Sequence, residues 1–132
     1  MRPRRLIVLL LLPVLVTACG NPVHSHYSVK STAPCLTKLG YAVDTNAEQL
    51  GVIESSAPEG ALRASEPGNN VTIDFAQDAT GAAALVRAYH TFGPAKRRKH
   101  INDVLETQHN AVLVWEITPP PAELQRVLGC LK

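Results

Sequence analysis

The chain has 132 residues and a formal net charge of +2, and it is 45% hydrophobic, 5% aromatic and 18% charged. That length holds one domain of ordinary size, and the apolar fraction excludes a fully disordered chain. Three cysteines are too few for a disulfide-dense miniprotein, and so small a charge gives no electrostatic footprint for nucleic acid.

Met1-Arg2-Pro3-Arg4-Arg5 is a basic opening, and the eleven residues from Leu6 to Val16 that follow are uncharged. A helix of that length spans about 16 Å, roughly half the hydrocarbon core of a bilayer, so it suits the apolar region of a signal peptide and not a permanent span. The segment closes Val16-Thr17-Ala18-Cys19-Gly20, with small residues ahead of a cysteine.

Val16-Thr17-Ala18-Cys19 resembles the lipobox of bacterial lipoprotein precursors, with Val16 standing where Leu is commonest. The resemblance covers only about the first twenty residues. It implies cleavage after Ala18, a diacylglyceryl group on the Cys19 sulfur, and a chain fastened to the extracytoplasmic face of the cell membrane. Two acyl chains hold a protein stably where one holds it marginally, at about 0.8 kcal/mol per buried CH₂. Gly20, rather than Asp, follows the anchor. Residues 19–132 then carry 10 Lys and Arg against 11 Asp and Glu, a net charge of −1. The precursor's basicity belongs to its signal, so net charge argues for neither nucleic acid nor an anionic membrane as partner.

The other two cysteines, Cys35 and Cys130, are expected to pair, because disulfides persist outside the cytosol and neither residue sits in a redox motif. Closing a loop of about 100 residues contributes up to about 4.7 kcal/mol in the chain-entropy account.

Residues 19–32 read as a lipidated tether and 33–132 as a single α+β domain. Pro34 to Gly40 predicts a short helix, with Pro opening it and Gly closing it. Tyr41 to Val43 predicts a brief strand. Thr45-Asn46-Ala47-Glu48 has capping-box spacing ahead of a stripe of Ala47, Leu50, Ile53 and Ala57, and Pro58 stops that helix. Ala61–Ser65 and Val71–Ala76 predict a hairpin about a turn-rich connector, with Val71, Ile73 and Phe75 inward and Thr72 and Asp74 facing solvent. Asp78 is placed to cap a helix whose stripe is Ala82, Leu85, Val86 and Tyr89, ended by Gly93-Pro94.

Lys96-Arg97-Arg98-Lys99-His100 reads as a basic loop, and Ile101 to Thr107 as a strand. Ala111 to Ile117 is a nearly continuous apolar run, as in a central strand covered on both faces. Pro119-Pro120-Pro121 opens a last helix with Leu124, Val127, Leu128 and Leu131 in register. The expected architecture is a four-stranded, mainly antiparallel sheet with helices on one face, a strand-strand-helix pseudo-repeat, and Cys35 and Cys130 joining the first and last helices.

No catalytic constellation emerges. His24 and His26 lack the further ligands that a zinc site needs. His90, His100 and His109 are scattered, Ser55-Ser56 has no elbow around it, and no phosphate-cradling glycine loop is present. Trp115 reads as core and Glu116 as solvent-facing. The run Lys96, Arg97, Arg98 and Lys99 has the best claim to a partner: an envelope protein or an anionic envelope component, alongside the membrane reached through Cys19. The expected function is a non-enzymatic binding or interaction module without cofactor, metal or nucleic acid. The alternatives are a small-ligand or lipid carrier and, behind it, a hydrolase.

Overall fold

The computed structural model describes residues 26–132. The signal segment, Cys19, His24 and most of the tether lie outside the described residues. The chain order is α1 (Val29–Lys38), β1 (Ala42–Asp44), α2 (Ala47–Leu50), α3 (Val52–Ser55), β2 (Ala61–Glu66), β3 (Asn69–Phe75), α4 (Ala79–Phe92), α5 (Ala95–Arg98), α6 (Ile101–Val104), β4 (Leu105–Gln108), β5 (Ala111–Trp115) and α7 (Pro121–Leu128). The strands form one five-stranded sheet in the order β1-β2-β3-β5-β4, every neighbouring pair antiparallel. The fold is therefore α+β, with five strands instead of four: the brief strand after Gly40 pairs with β2, Ala42 opposite Ser65, and extends the sheet by an edge.

Two hairpins make the centre. Glu66 pairs with Asn69 across Pro67-Gly68, and Gly68 takes a φ of +95°, the left-handed geometry that a type II turn requires after Pro. Gln108 pairs with Ala111 across His109-Asn110, with His109 at φ 51°. Each hairpin is followed by a helix, α4 and α7 respectively, so the expected strand-strand-helix order recurs with α5 and α6 between the halves. The basic run is not wholly a loop: Lys96, Arg97 and Arg98 lie in the short helix α5, and Lys99 and His100 form the turn after it. Ile101 to Thr107 divides into α6 and β4, because Ile101 and Val104, three apart, turn one helical face into the core before extended chain resumes at Leu105.

Cross-strand partners in an antiparallel sheet share a face. Val71, Ile73 and Phe75 lie with Leu62, Leu113 and Trp115 on one side, and Thr72 and Asp74 lie with Val112 and Val114 on the other. All ten are at most 1% exposed. Helices therefore cover both faces and not one. Tyr89 of α4 reaches Asp74, and Arg126 of α7 reaches Glu66, which the register puts on the opposite side, at 3.4 Å. Strands as apolar as β5 require that double cover. Asp74, expected in solvent, is fully buried beneath α4.

α1 starts five residues earlier than Pro34. Ser28 caps it by accepting the Ser31 N–H at 3.2 Å, Thr32 is fully buried, and Pro34 sits inside the helix. The stretch 29–32 is therefore part of the folded body and not tether. The reason is tertiary: the Ser28 N–H donates to the Lys132 carbonyl at 2.8 Å, drawing this polar segment against the chain's far end. The single helix expected over residues 47–57 is broken at Gly51 into α2 and α3, with the Glu54 carboxylate lying where a Cβ on residue 51 would stand. No side-chain cap forms at Asn46, though Leu50, Ile53 and Ala57 point inward as expected.

Cys35 and Cys130 form a disulfide with their Cα atoms 5.4 Å apart and 95 residues between them in sequence. Cys35 is in α1, but Cys130 follows α7, in the turn after Gly129 ends that helix at Leu128. The bridge thus ties the first helix to the turn beyond the last one.

Candidate functional site

At the carboxyl end of β5 an open groove of about 440 Å³ lies between α5 and the segment that leaves the strand. Gly93 ends α4, and Pro94 opens α5 by accepting the Arg97 and Arg98 N–H groups at 2.9 and 3.0 Å. That single turn sets Lys96 and Arg97 on one wall with His100 beyond them, while Pro94, Val104 and Ile117 supply apolar lining.

Glu116 faces this wall and accepts a hydrogen bond from Arg97 Nη2. The Arg97 side chain is 18% exposed and that of Glu116 is 46% exposed, so the cation is the more buried partner of the pair. Among the described residues the Glu116 carboxylate has no other hydrogen bond. Asn69 fixes the rim: it donates to the Ile117 carbonyl at 3.0 Å and accepts the Ile117 N–H at 3.1 Å. Ile117 nevertheless leaves more than half its surface in solvent, and Phe92, at the end of α4 just before Pro94, is 78% exposed.

The basic run is thus not four equivalent cations. Arg97 is committed to Glu116, and Arg98 donates to the Thr91 carbonyl at 3.2 Å. Lys96 and Lys99 are exposed and carry no ion pair among the described residues.

The scattered histidines stay apart. His100 lines the groove, His90 is exposed on α4, and His109 packs a tilted ring 5.6 Å from Tyr27. His26 has its nearest carboxylate, Glu59, at 4.0 Å, and no group of three or more potential metal ligands occurs among the described residues. Ser55 and Ser56 spend their hydroxyls on the Val52 and Ile53 carbonyls. Asp78 caps α4 by accepting the Gly81 N–H at 2.7 Å. Trp115 is buried, with its indole N–H unpartnered among the described residues.

Two buried polar groups are central to the fold, Asn110 and the Asp74 expected in solvent. Asn110, 2% exposed, accepts the Tyr27 N–H at 2.8 Å and donates to the carbonyls of Tyr27 and Ala76, each at 2.9 Å. Asp74 accepts a hydrogen bond from the Tyr89 hydroxyl, and its other oxygen has no partner among the described residues. Burial drives the Asp74 carboxyl up to about 7; Tyr89 partly offsets this, and the nearby Glu54 charge adds to it. Burial foremost, and then the Asp74 charge, push the Tyr89 phenol upward, so the hydroxyl remains a donor. This cluster takes no part in lining the groove and acts within the core.

No protein-family model, no curated protein and no solved structure matches this chain.

Proposed function

We propose that the chain is a lipid-anchored binding module of the bacterial cell envelope, fastened through Cys19 on the extracytoplasmic face and engaging an anionic partner through the α5 groove. The lipobox-like segment Val16 to Cys19 supports the anchor, and the Cys35–Cys130 bridge fits an oxidising compartment. No helix among the described residues is long and apolar enough to cross a membrane.

The placement of the groove relative to the chain's entry carries the reading. Tyr27 is held by Asn110 at one end of β5, and Glu116 and Ile117 line the groove at the other. The six residue steps from Asn110 to Glu116 separate these ends by about 20 Å. Seven residues from Cys19 to His26 reach at most about 25 Å. An anchor on Cys19 therefore enters the domain at the Tyr27 end, with Lys96 and Lys99 at the end of the sheet remote from that entry. A basic surface so placed suits a component of the envelope space better than the headgroups of its own membrane.

The test uses the full chain made in a bacterium that processes lipoproteins. A clickable fatty acid should label the wild type and not Cys19→Ala. Lipidated chain in zwitterionic nanodiscs should bind isolated envelope material, and Lys96→Glu with Lys99→Glu should abolish that binding. Equal labelling of both chains overturns the anchor. Equal binding by wild type and the charge-reversed variant overturns the assignment of the working face.

A further inference from the structure

We propose that the α5 groove is a site for one anionic group, a carboxylate or phosphomonoester, borne on a small molecule with a short apolar body, and that Glu116 is the internal counterion this group replaces on Arg97. The inference rests on the reading of α5 as the working face and names the ligand chemistry.

The lining carries three groups able to bear positive charge, Lys96, Arg97 and His100, against the single carboxylate of Glu116. The Arg97 side chain is mostly withdrawn from water, and a guanidinium on such a side chain needs an acceptor. Of its five N–H donors only one is engaged by Glu116. That partner is easily exchanged: its side chain is nearly half exposed, has no second bond among the described residues, and forms the kind of surface ion pair that is weak in water. Ile117, by contrast, is clamped on both its N–H and its carbonyl by Asn69, so the rim holds when Glu116 swings out. A phosphate or carboxylate entering there meets Lys96 as well as Arg97 and can form the bidentate pairing that Glu116 does not make. The apolar half of the lining, Pro94, Val104 and the exposed Ile117, fits an aliphatic body better than a bare inorganic ion. A volume of about 440 Å³ suits a small organic molecule.

Saturation-transfer NMR on butyl phosphate, butyrate, butanol and inorganic phosphate tests this, with the lipidated chain in zwitterionic nanodiscs and empty discs as the blank. Butyl phosphate and butyrate should receive saturation at their methylene protons, and butanol should not. Glu116→Gln should bind butyl phosphate about threefold more tightly, and Lys96→Glu about tenfold more weakly, with thermal unfolding of both variants matching wild type. Both substitutions are at exposed side chains, so folding is retained. Equal saturation of butanol, affinity unchanged in both variants, or no binding of any probe to wild type or Glu116→Gln overturns the proposal. So does retention on anionic vesicles without binding of monomeric butyl phosphate, which assigns the cations to a membrane surface. Envelope binding that still depends on Lys96 and Lys99 while every probe fails removes this inference and leaves the proposed function standing.

Discussion

Asn110 and Tyr27 exchange two hydrogen bonds across 83 residues of sequence, the Tyr27 N–H into Oδ1 and Nδ2 into the Tyr27 carbonyl. The same Nδ2 also reaches the Ala76 carbonyl at the end of β3. One amide thus closes the β4–β5 turn onto the entry of the chain and onto the neighbouring hairpin. Asn110→Ala should cost about 3 kcal/mol in urea unfolding, since it strands the buried Ala76 carbonyl and two part-buried backbone groups of Tyr27. Asn110→Asp should not recover the loss, because a carboxylate accepts but cannot donate. A stability within 0.5 kcal/mol of wild type, on the order of ordinary surface substitutions, would refute this role.

The buried Asp74 carboxyl makes stability fall as pH rises. Its value is raised from 3.8 in the unfolded chain to about 7 in the fold. Between those limits the native state keeps a proton that the unfolded chain has lost, so the stabilising contribution is complete below about pH 4 and gone above about pH 7. The change is on the order of 4 kcal/mol. Asp74→Asn should flatten the profile of urea midpoint against pH over that window. Tyr89→Phe removes the one hydrogen bond that lowers the Asp74 value and should carry the decline above pH 7. A wild-type profile flat from pH 4 to 7 would exclude a buried, proton-holding Asp74.

Reducing the Cys35–Cys130 bridge should destabilise the domain by about 2–5 kcal/mol, as should Cys35→Ala combined with Cys130→Ala. Comparison of urea midpoints with and without dithiothreitol checks it. The groove should keep its shape in the reduced protein as long as the sheet is folded, because α5 and Glu116 lie at the sheet end opposite Tyr27.

Asn69→Ala should cost about 1 kcal/mol, since its two bonds to Ile117 are exposed. Its larger effect should be local: faster amide exchange at Ile117, and weaker binding of any groove ligand. Unchanged exchange at Ile117 would show that Asn69 does not hold the rim.

Local features of the fold were legible where neighbouring residues alone decide the structure. Pro67-Gly68 marks its turn, Asp78 its cap, and the unbroken apolar run of β5 its central place in the sheet. Asp74 was misplaced because alternation in β3 reports only which side chains share a face, and not whether that face is later roofed by α4. The start of α1 was hidden for a similar reason: Ser28 caps it, but what holds this segment against the body is Lys132, bonded to Ser28, and Asn110, bonded to Tyr27 from 83 positions away, neither of them part of its local pattern. The basic run was visible as charge, whereas the commitment of Arg97 to Glu116 arises only when α5 and the end of β5 converge.

The stitching of the two termini also sets how this domain carries load. Ser28 is bonded to Lys132, and a few residues further on Cys35 is covalently joined to Cys130. A tug arriving through the leading segment is met first by the Tyr27 and Ser28 hydrogen bonds and is then shunted by the cross-link straight into the trailing end. The β4–β5 turn feels that tug only through the Tyr27–Asn110 bonds, and once these yield, the hairpins and the groove they frame sit outside the mechanical circuit.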